Sequence, residues 1–287
     1  KLKLNKMLAY RHRITKLDTE LHSKRGIRPM KIVITGSSGA IGSSLIPFLS
    51  TGGHEVRRLI HTTQFISDAN SFNWHIDSGK VDVNAFDGVD AVVHLAGERI
   101  AGRWNKNKKE RIIQSREKGT QLLCEALSSL DNPPKVLVSA SAIGYYGNRG
   151  DEILDENSQI GSGFLSQVCN SWESSTSLAT DAGIRVVNLR LAPVLTPQAD
   201  PLALMLMPFK LGLGGPIGNG KQYFPWISID DAVGAIYHAI ITDSLSGAVN
   251  AVAPDILTNG DFTKILGSVL GRPAFMPMPA FAARLAF

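Results

Sequence analysis

Residues 31–42 read Lys-Ile-Val-Ile-Thr-Gly-Ser-Ser-Gly-Ala-Ile-Gly, and no other stretch restricts the fold as strongly. The β-branched run Ile32-Val33-Ile34 is apolar on both faces, as a strand inside a parallel sheet requires. Gly36, Gly39 and Gly42 follow at three-residue spacing, and Leu45, Ile46, Phe48 and Leu49 then recur at helical intervals up to Gly52-Gly53. Strand, glycine turn and helix in this order bring backbone N–H groups and a helix N-terminus to one point, where a pyrophosphate can sit. Gly36 is expected to make the tight turn, Gly39 to let phosphate approach, and Gly42 to let the helix pack on the strand. The candidate dinucleotide contacts are therefore Gly36, Ser37, Ser38, Gly39, Ala40, Ile41 and Gly42. The strand before them and the helix after them separate this turn from an ordinary Gly-rich loop.

From Met30 onward the chain alternates between two periodicities. Strands are expected over 31–35, 55–60, 90–95, 135–140, 184–190 and 248–252, and helices over 42–51, 108–130, 162–181, 230–242 and 259–270. This alternation predicts βαβ units and a doubly wound α/β fold, a parallel sheet with helices on both faces. Residues 197–226 break the pattern. They are rich in Gly and Pro and carry Met205, Met207, Phe209, Tyr223, Phe224 and Trp226, a composition suited to a lid or substrate wall. The expected organisation is a sheet domain over 30–196 and 225–255, and a small C-terminal substrate lobe over 197–224 and 256–287.

The formal charge of +5 is unevenly distributed. Residues 1–29 hold nine Lys or Arg against Asp18 and Glu20, so residues 30–287 carry a slight negative excess. The basic balance is thus no argument for nucleic-acid binding by the main domain. The basic segment reads as a disordered tail or as a transit peptide. Its Leu2, Leu4, Leu8, Ile14 and Leu17 have nothing local to bury them, so its loss is expected to leave stability nearly unchanged. Cys124 and Cys169 do not make a disulfide framework, which points to a reducing compartment and a cytoplasmic protein. The seven histidines lack ligand spacing, so no metal is expected. No apolar run approaches the ~18 residues needed to span a bilayer.

The end of the second strand selects the nucleotide. An acid there would bind both ribose hydroxyls and repel a 2′-phosphate. Here the strand ends Arg57-Arg58-Leu59-Ile60-His61-Thr62-Thr63, with no acid, and Arg57 and Arg58 add positive potential. NADP(H) is the expected cofactor, with Ile60 and His61 at the ribose. An imidazole cannot form the guanidinium fork, which weakens that preference. Gly215–Gln222 approaches a phosphate-loop pattern, but Gln222 replaces the required hydroxyl and no strand leads in.

Several longer stretches resemble one family. Thr35–Gly42, His94-Leu95-Ala96-Gly97-Glu98, Arg103-Trp104, Ser139–Gly147, Trp172-Glu173, Leu211–Gly218, Trp226–Asp231 and Val249–Pro254 are similar to the epimerase-family branch of the extended short-chain dehydrogenases/reductases. The resemblance implies a Rossmann-type fold. It also implies that Leu95, Ala96 and Gly97 line the cofactor, that Arg116 reaches it from the long helix, and that Val194 contacts the nicotinamide side. Relatives carry Arg where this chain has His61, and they run a few tens of residues past Phe287. Met7–Thr15 resembles the closing helix of a helix-grip (START-like) domain fused upstream in some members.

Most of the wider group use a Tyr-x-x-x-Lys pair on one helix face, the lysine lowering the tyrosine pKa for proton exchange. None of the five tyrosines here has Lys at +4, and the corresponding positions are Leu165 and Cys169. Ser139, Ser141, Tyr145 and Tyr146 remain near the expected nicotinamide. Ser141 and Tyr145 are the candidate catalytic groups, and Glu98 is a further candidate acid. His94 is expected to be a packed structural residue. The resemblance implies an NADP(H)-dependent oxidoreductase or nucleotide-sugar-epimerase-like enzyme acting on an unidentified small molecule. The alternative is a cofactor-binding regulator without turnover, as in cell- or plastid-division control.

Overall fold

Ile32, Val33 and Ile34 are fully buried, and the strand they build, β1 (Lys31–Thr35), lies inside an eight-stranded sheet. The computed structural model describes residues 2–61 and 68–277. On one side of β1 come β2 (Glu55–Ile60), β3 (Ser71–His75) and β4 (Lys80–Val81). On the other come β5 (Ala91–His94), β6 (Val136–Ala142), β7 (Arg185–Leu191) and β10 (Gly247–Ala251). All pairings in this sheet are parallel except β3 with β4. The chain winds outward in both directions from β1, so the strand order reverses between β1 and β5. A crevice opens at such a reversal, outside the C-terminal strand ends.

Alternate residues of each strand face opposite layers. Ile32, Ile34, Val93, Val138 and Leu189 pack with α2 (Ala40–Thr51) and α7 (Ile229–Ile241), which contribute Leu45, Leu49 and Ile236. Val33, Val92, Leu137 and Val186 pack with Leu123 and Leu127 of α3 (Lys106–Ser128) and Ala179 of α5 (Ser177–Asp181). This is the Rossmann-type doubly wound sheet with helices on both faces. A third, small core gathers Met205 and Phe209 of α6 (Leu202–Lys210) with Phe262 of α8 (Asn259–Leu270) and Phe224. It forms the small C-terminal lobe. The short parallel pair β8 (Val194–Leu195) and β9 (Ile227–Ser228) adjoins it.

Each strand expected from the pattern is present, and four more are not legible in it. Ser71–His75 carries Ser, Asn and His, and it becomes a strand by pairing with β2. The helix expected over 162–181 is two, α4 (Phe164–Ser174) and α5. At the break the Ser175 hydroxyl donates to the Ser171 carbonyl at 2.7 Å and that of Thr176 to the Glu173 carbonyl at 2.7 Å. Such back-bonding competes with the regular ladder.

Against the disordered-tail reading, the basic segment is helical, as the resemblance of Met7–Thr15 to a helix implies. Residues 2–25 form one helix, α1 (Leu2–Arg25), and its last turns are packed on the main fold. The His22 ring occupies the space a Cβ on Gly52 would fill, 2.4 Å away, and lies 4.5 Å from the Phe48 ring. Its Nε2 donates to the Phe48 carbonyl at 3.1 Å, which leaves Nδ1 to pair with the Tyr237 hydroxyl at 3.2 Å. Tyr10 donates to Asp230, and that bond pushes its phenol up to about 12. Leu4, Leu8 and Leu17 do remain exposed. His22→Ala should therefore cost about 1–2 kcal/mol in lost packing and hydrogen bonding. Thermal unfolding should show Tm lower by about 2–6 °C, where a detached tail would give no change.

Candidate dinucleotide-binding and active site

The glycine turn is pressed against the end of β5. Gly36 has φ +68°, and a Cβ there would lie 2.7 Å from both the carbonyl carbon and the oxygen of Leu95. Any side chain would push the two strand ends apart. A Cβ on Gly42 would lie 2.5 Å from the Gly36 oxygen and 2.7 Å from the Ser37 Cα. The third glycine thus lets α2 pack on the turn itself, not on the strand as expected. Gly39 is the N-cap of α2, and no side chain caps it. The first-turn N–H groups at Ala40, Ile41 and Gly42, beside Ser37 and Ser38, are free to meet an anion.

Thr35 joins the two strand ends. Its Oγ1 accepts from the N–H groups of Leu95 at 3.1 Å and Ala96 at 3.2 Å, and its proton goes to His94 Nδ1 at 2.8 Å. His94 Nε2 then donates to Thr120 Oγ1 at 3.0 Å. Complete burial, reinforced by the Arg116 charge, pushes this imidazole down to about 4. His94 is a neutral structural brace, as expected.

Arg116 is 7% exposed and lies flush beneath Gly97, whose Cβ would be 3.2 Å from the guanidinium carbon. It donates to the carbonyls of Glu98 at 3.0 Å and Ile112 at 3.3 Å, and rests 4.8 Å from the Trp172 ring centre. Its Nε has no partner and no carboxylate pairs with it among the described residues. Burial lowers its pKa. Glu98 faces Lys108 at 2.6 Å and Arg111 at 3.6 Å. Its hydrogen bond with Lys108 holds the carboxyl below the usual range, so it stays ionised and is no general acid at neutral pH.

At the far side of the crevice, sequence reasoning missed the charged centre. Ser141 is buried and donates to Glu173 at 2.6 Å. Arg190 clasps the same carboxylate with two bonds of 2.9 and 2.8 Å and donates to the Tyr146 hydroxyl at 2.9 Å, which donates to Asn250 at 2.7 Å. The Arg190 guanidinium also covers the Tyr145 ring at 3.5 Å. Trp172-Glu173 stands in a family-like stretch, but nothing in the 17-residue separation from Arg190 signals the pair. Leu165 and Cys169 pack under Gly144, and burial raises the Cys169 thiol to about 11. Ser139 is buried in β6.

At the other end of the crevice, Ile60 closes β2 and His61 follows it, exposed. The expected contribution of Arg57 and Arg58 to the potential is corrected. Arg57 binds Glu55 at 2.9 Å and the carbonyls of Asn84, Ala85 and Asp87, and Arg58 pairs with Asp68. Thr62 and Thr63 lie outside the described residues. Val194 lies in β8, half-buried against the α2 and α7 core. The loop 215–222 braces the start of α8 through Asn259 and Ile217 at 2.7 Å, as a structural loop does. Among the described residues no metal-ligating cluster occurs, and no helix is long and apolar enough to cross a membrane.

The neutrality of His94 sets a pH dependence. Unfolded, its imidazole takes a proton near 6.5; folded, it resists until about 4. The unfolded chain therefore binds more protons in that window, and stability falls as pH drops through it. Urea unfolding at about pH 5 should give about 2 kcal/mol less stability from this group than at about pH 7.5. His94→Asn should be less stable at neutral pH but should flatten that slope.

Comparison with known proteins agrees with this geometry. Residues 32–251 match the model of the NAD dependent epimerase/dehydratase family. An epimerase family protein of Mycobacterium leprae is 40% identical over 260 residues, covering 90% of this chain and 83% of that protein. The crystal structure of human epimerase family protein SDR39U1 with NADPH superimposes with a TM-score of 0.81 at 35% identity, over 90% of this chain and 86% of that one. A nucleoside-diphosphate sugar epimerase from Corynebacterium glutamicum gives a TM-score of 0.75 at 36% identity, over 93% of this chain and 58% of that longer one. The glycine turn at the strand-order reversal and these likenesses together make the chain a member of the NAD dependent epimerase/dehydratase family.

Proposed function

We propose that this chain binds NADP(H) across the β1/β5 crevice and acts as an oxidoreductase or nucleotide-sugar-epimerase-like enzyme on a small molecule held against the C-terminal lobe. The observation that carries the reading is the contact of Gly36 with the Leu95 backbone beside the uncapped N-terminus of α2. The pyrophosphate sits over residues 36–42, the ribose beside it near Ile60 and His61, and the remaining half over Leu95, Ala96 and Gly97 towards Val194. Arg116, a buried cation without a carboxylate, gains an electrostatic partner from the bound anion. The NADPH of the human relative supports the choice of nucleotide. The cofactor supplies hydride chemistry. Two free, buried cysteines support a cytoplasmic setting, although one relative is named chloroplastic.

Ser141 and Tyr145 are the proposed proton-handling groups. Glu173 fixes the Ser141 hydroxyl, and Arg190 fixes the Tyr145 ring. The competing reading, a cofactor-binding regulator without turnover, is favoured by Leu165 and Cys169, which stand where a tyrosine and lysine would be and cannot replace them.

Fluorescence titration should show NADPH binding that Gly36→Val abolishes. Once a substrate screen gives a signal, Ser141→Ala and Tyr145→Phe should each lower turnover about 10²–10⁴-fold at unchanged NADPH affinity. Unchanged turnover in both would end the assignment, and tight NADPH binding without any turnover would favour the regulator.

A further inference from the structure

We propose that His61 and His75 form the subsite for the cofactor's 2′-phosphate, which makes the preference for NADPH over NADH dependent on their protonation. The inference rests on the proposed NADP(H) binding and adds a titratable selectivity to it.

The first observation is placement. A dinucleotide lying along the C-terminal edge of such a sheet brings its adenosine ribose to the end of the second strand. β2 and β3 are parallel neighbours, and Ile60 pairs with Asn73. His61 and His75 therefore both lie just past that pair, on the edge that also carries the glycine turn. Their rings are 5.3 Å apart at 70°. His61 is exposed and His75 half-buried, so both present surface to solvent.

The second observation is elimination among charges. Arg57 is bound to Glu55 and three carbonyls, and Arg58 to Asp68. Asp77 lies in the turn after β3, and Lys80 stands opposite His75 in β4. With both arginines so engaged, the two imidazoles and Lys80 are the groups on β2 and β3–β4 placed to meet an anion at this edge. No acid at the end of β2 opposes a phosphate.

The chemistry follows from imidazole. Protonated, each ring has two N–H donors and a charge; neutral, it has one donor and none. Bonds to a phosphate from charged donors are about twice as strong as neutral ones. Two cationic rings this close repel each other, and an anion held by both offsets that repulsion. Phosphate binding and ring protonation therefore favour one another. A guanidinium at position 61 would hold its charge throughout and show no such linkage.

The test is calorimetric. Kd values for NADPH and NADH are measured at about pH 6.5 and 8.5, a range over which imidazole discharges, for the native chain, His61→Arg and His75→Gln. NADH, lacking the phosphate, reports whether each variant keeps its fold. In the native chain the NADPH preference should fall about tenfold or more at the higher pH. The phosphate itself gains charge over this range, which opposes that trend. His61→Arg should remove most of the fall, and His75→Gln should weaken NADPH alone at the lower pH. A preference equal at both pH values, or unaltered by His75→Gln, overturns the pair and leaves Lys80 as the carrier of selectivity. NADH binding without any NADPH preference fails this inference alone. Failure of both nucleotides to bind at either pH fails the proposed function and this inference with it.

Discussion

The structure depends on a close backbone approach between two strand ends. Gly36 brings the β1 turn to 2.7 Å, as measured from a hypothetical Cβ, against Leu95 at the end of β5. Thr35 stitches the same two ends with two accepted N–H bonds, and His94 and Thr120 extend the stitch down to α3. Because the strand order reverses at this seam, the geometry that joins the two halves of the sheet also shapes the crevice. Fold and binding surface are set by one contact. A side chain at position 36 would disturb both, so stability alone is a poor guide to what this turn does.

Two buried guanidinium groups flank that seam in contrasting states. Arg190 is clasped by Glu173 and touches Tyr145 and Tyr146, so its charge is balanced inside the fold. Arg116 is as deeply buried, yet it rests on carbonyls and an aromatic face, and burial lowers its pKa. Leaving a buried charge without a counter-charge is costly, and partner loss at such sites commonly costs several kcal/mol. The fold keeps this cost beneath Gly97, at the floor of the crevice. That placement is understandable if an anion completes the site. The paired arginine holds Glu173 and Tyr146 in place, and the unpaired one lies where the proposed cofactor's anion would complete the site.

α1 shows how a segment can be misread when its partners are distant in sequence. Its composition is basic and its apolar residues look unsupported, and Leu4, Leu8 and Leu17 do stay exposed. What seats it is a polar aromatic, His22, filling a hole that Gly52 leaves. Neither residue signals the other along the chain. The same blindness applies to Arg57 and Arg58. Adjacent arginines in a strand read as a positive patch, but whether they are free is decided by Glu55, Asp68 and the carbonyls of Asn84, Ala85 and Asp87.

By itself the sequence determined the doubly wound sheet, the glycine turn and the position of the crevice. These depend on local patterns: β-branched runs, helical periodicity and glycines at three-residue spacing, each legible within about a dozen residues. It also indicated that the usual Tyr and Lys positions hold Leu165 and Cys169. Only the tertiary structure decided that Ser141 turns to Glu173, that Arg190 covers Tyr145, that Glu98 is held ionised by α3, and that His61 meets His75. Those pairings join residues from separate strands and helices. Side-chain partners across elements are fixed by sheet order and register, and these follow from the packing of the whole chain.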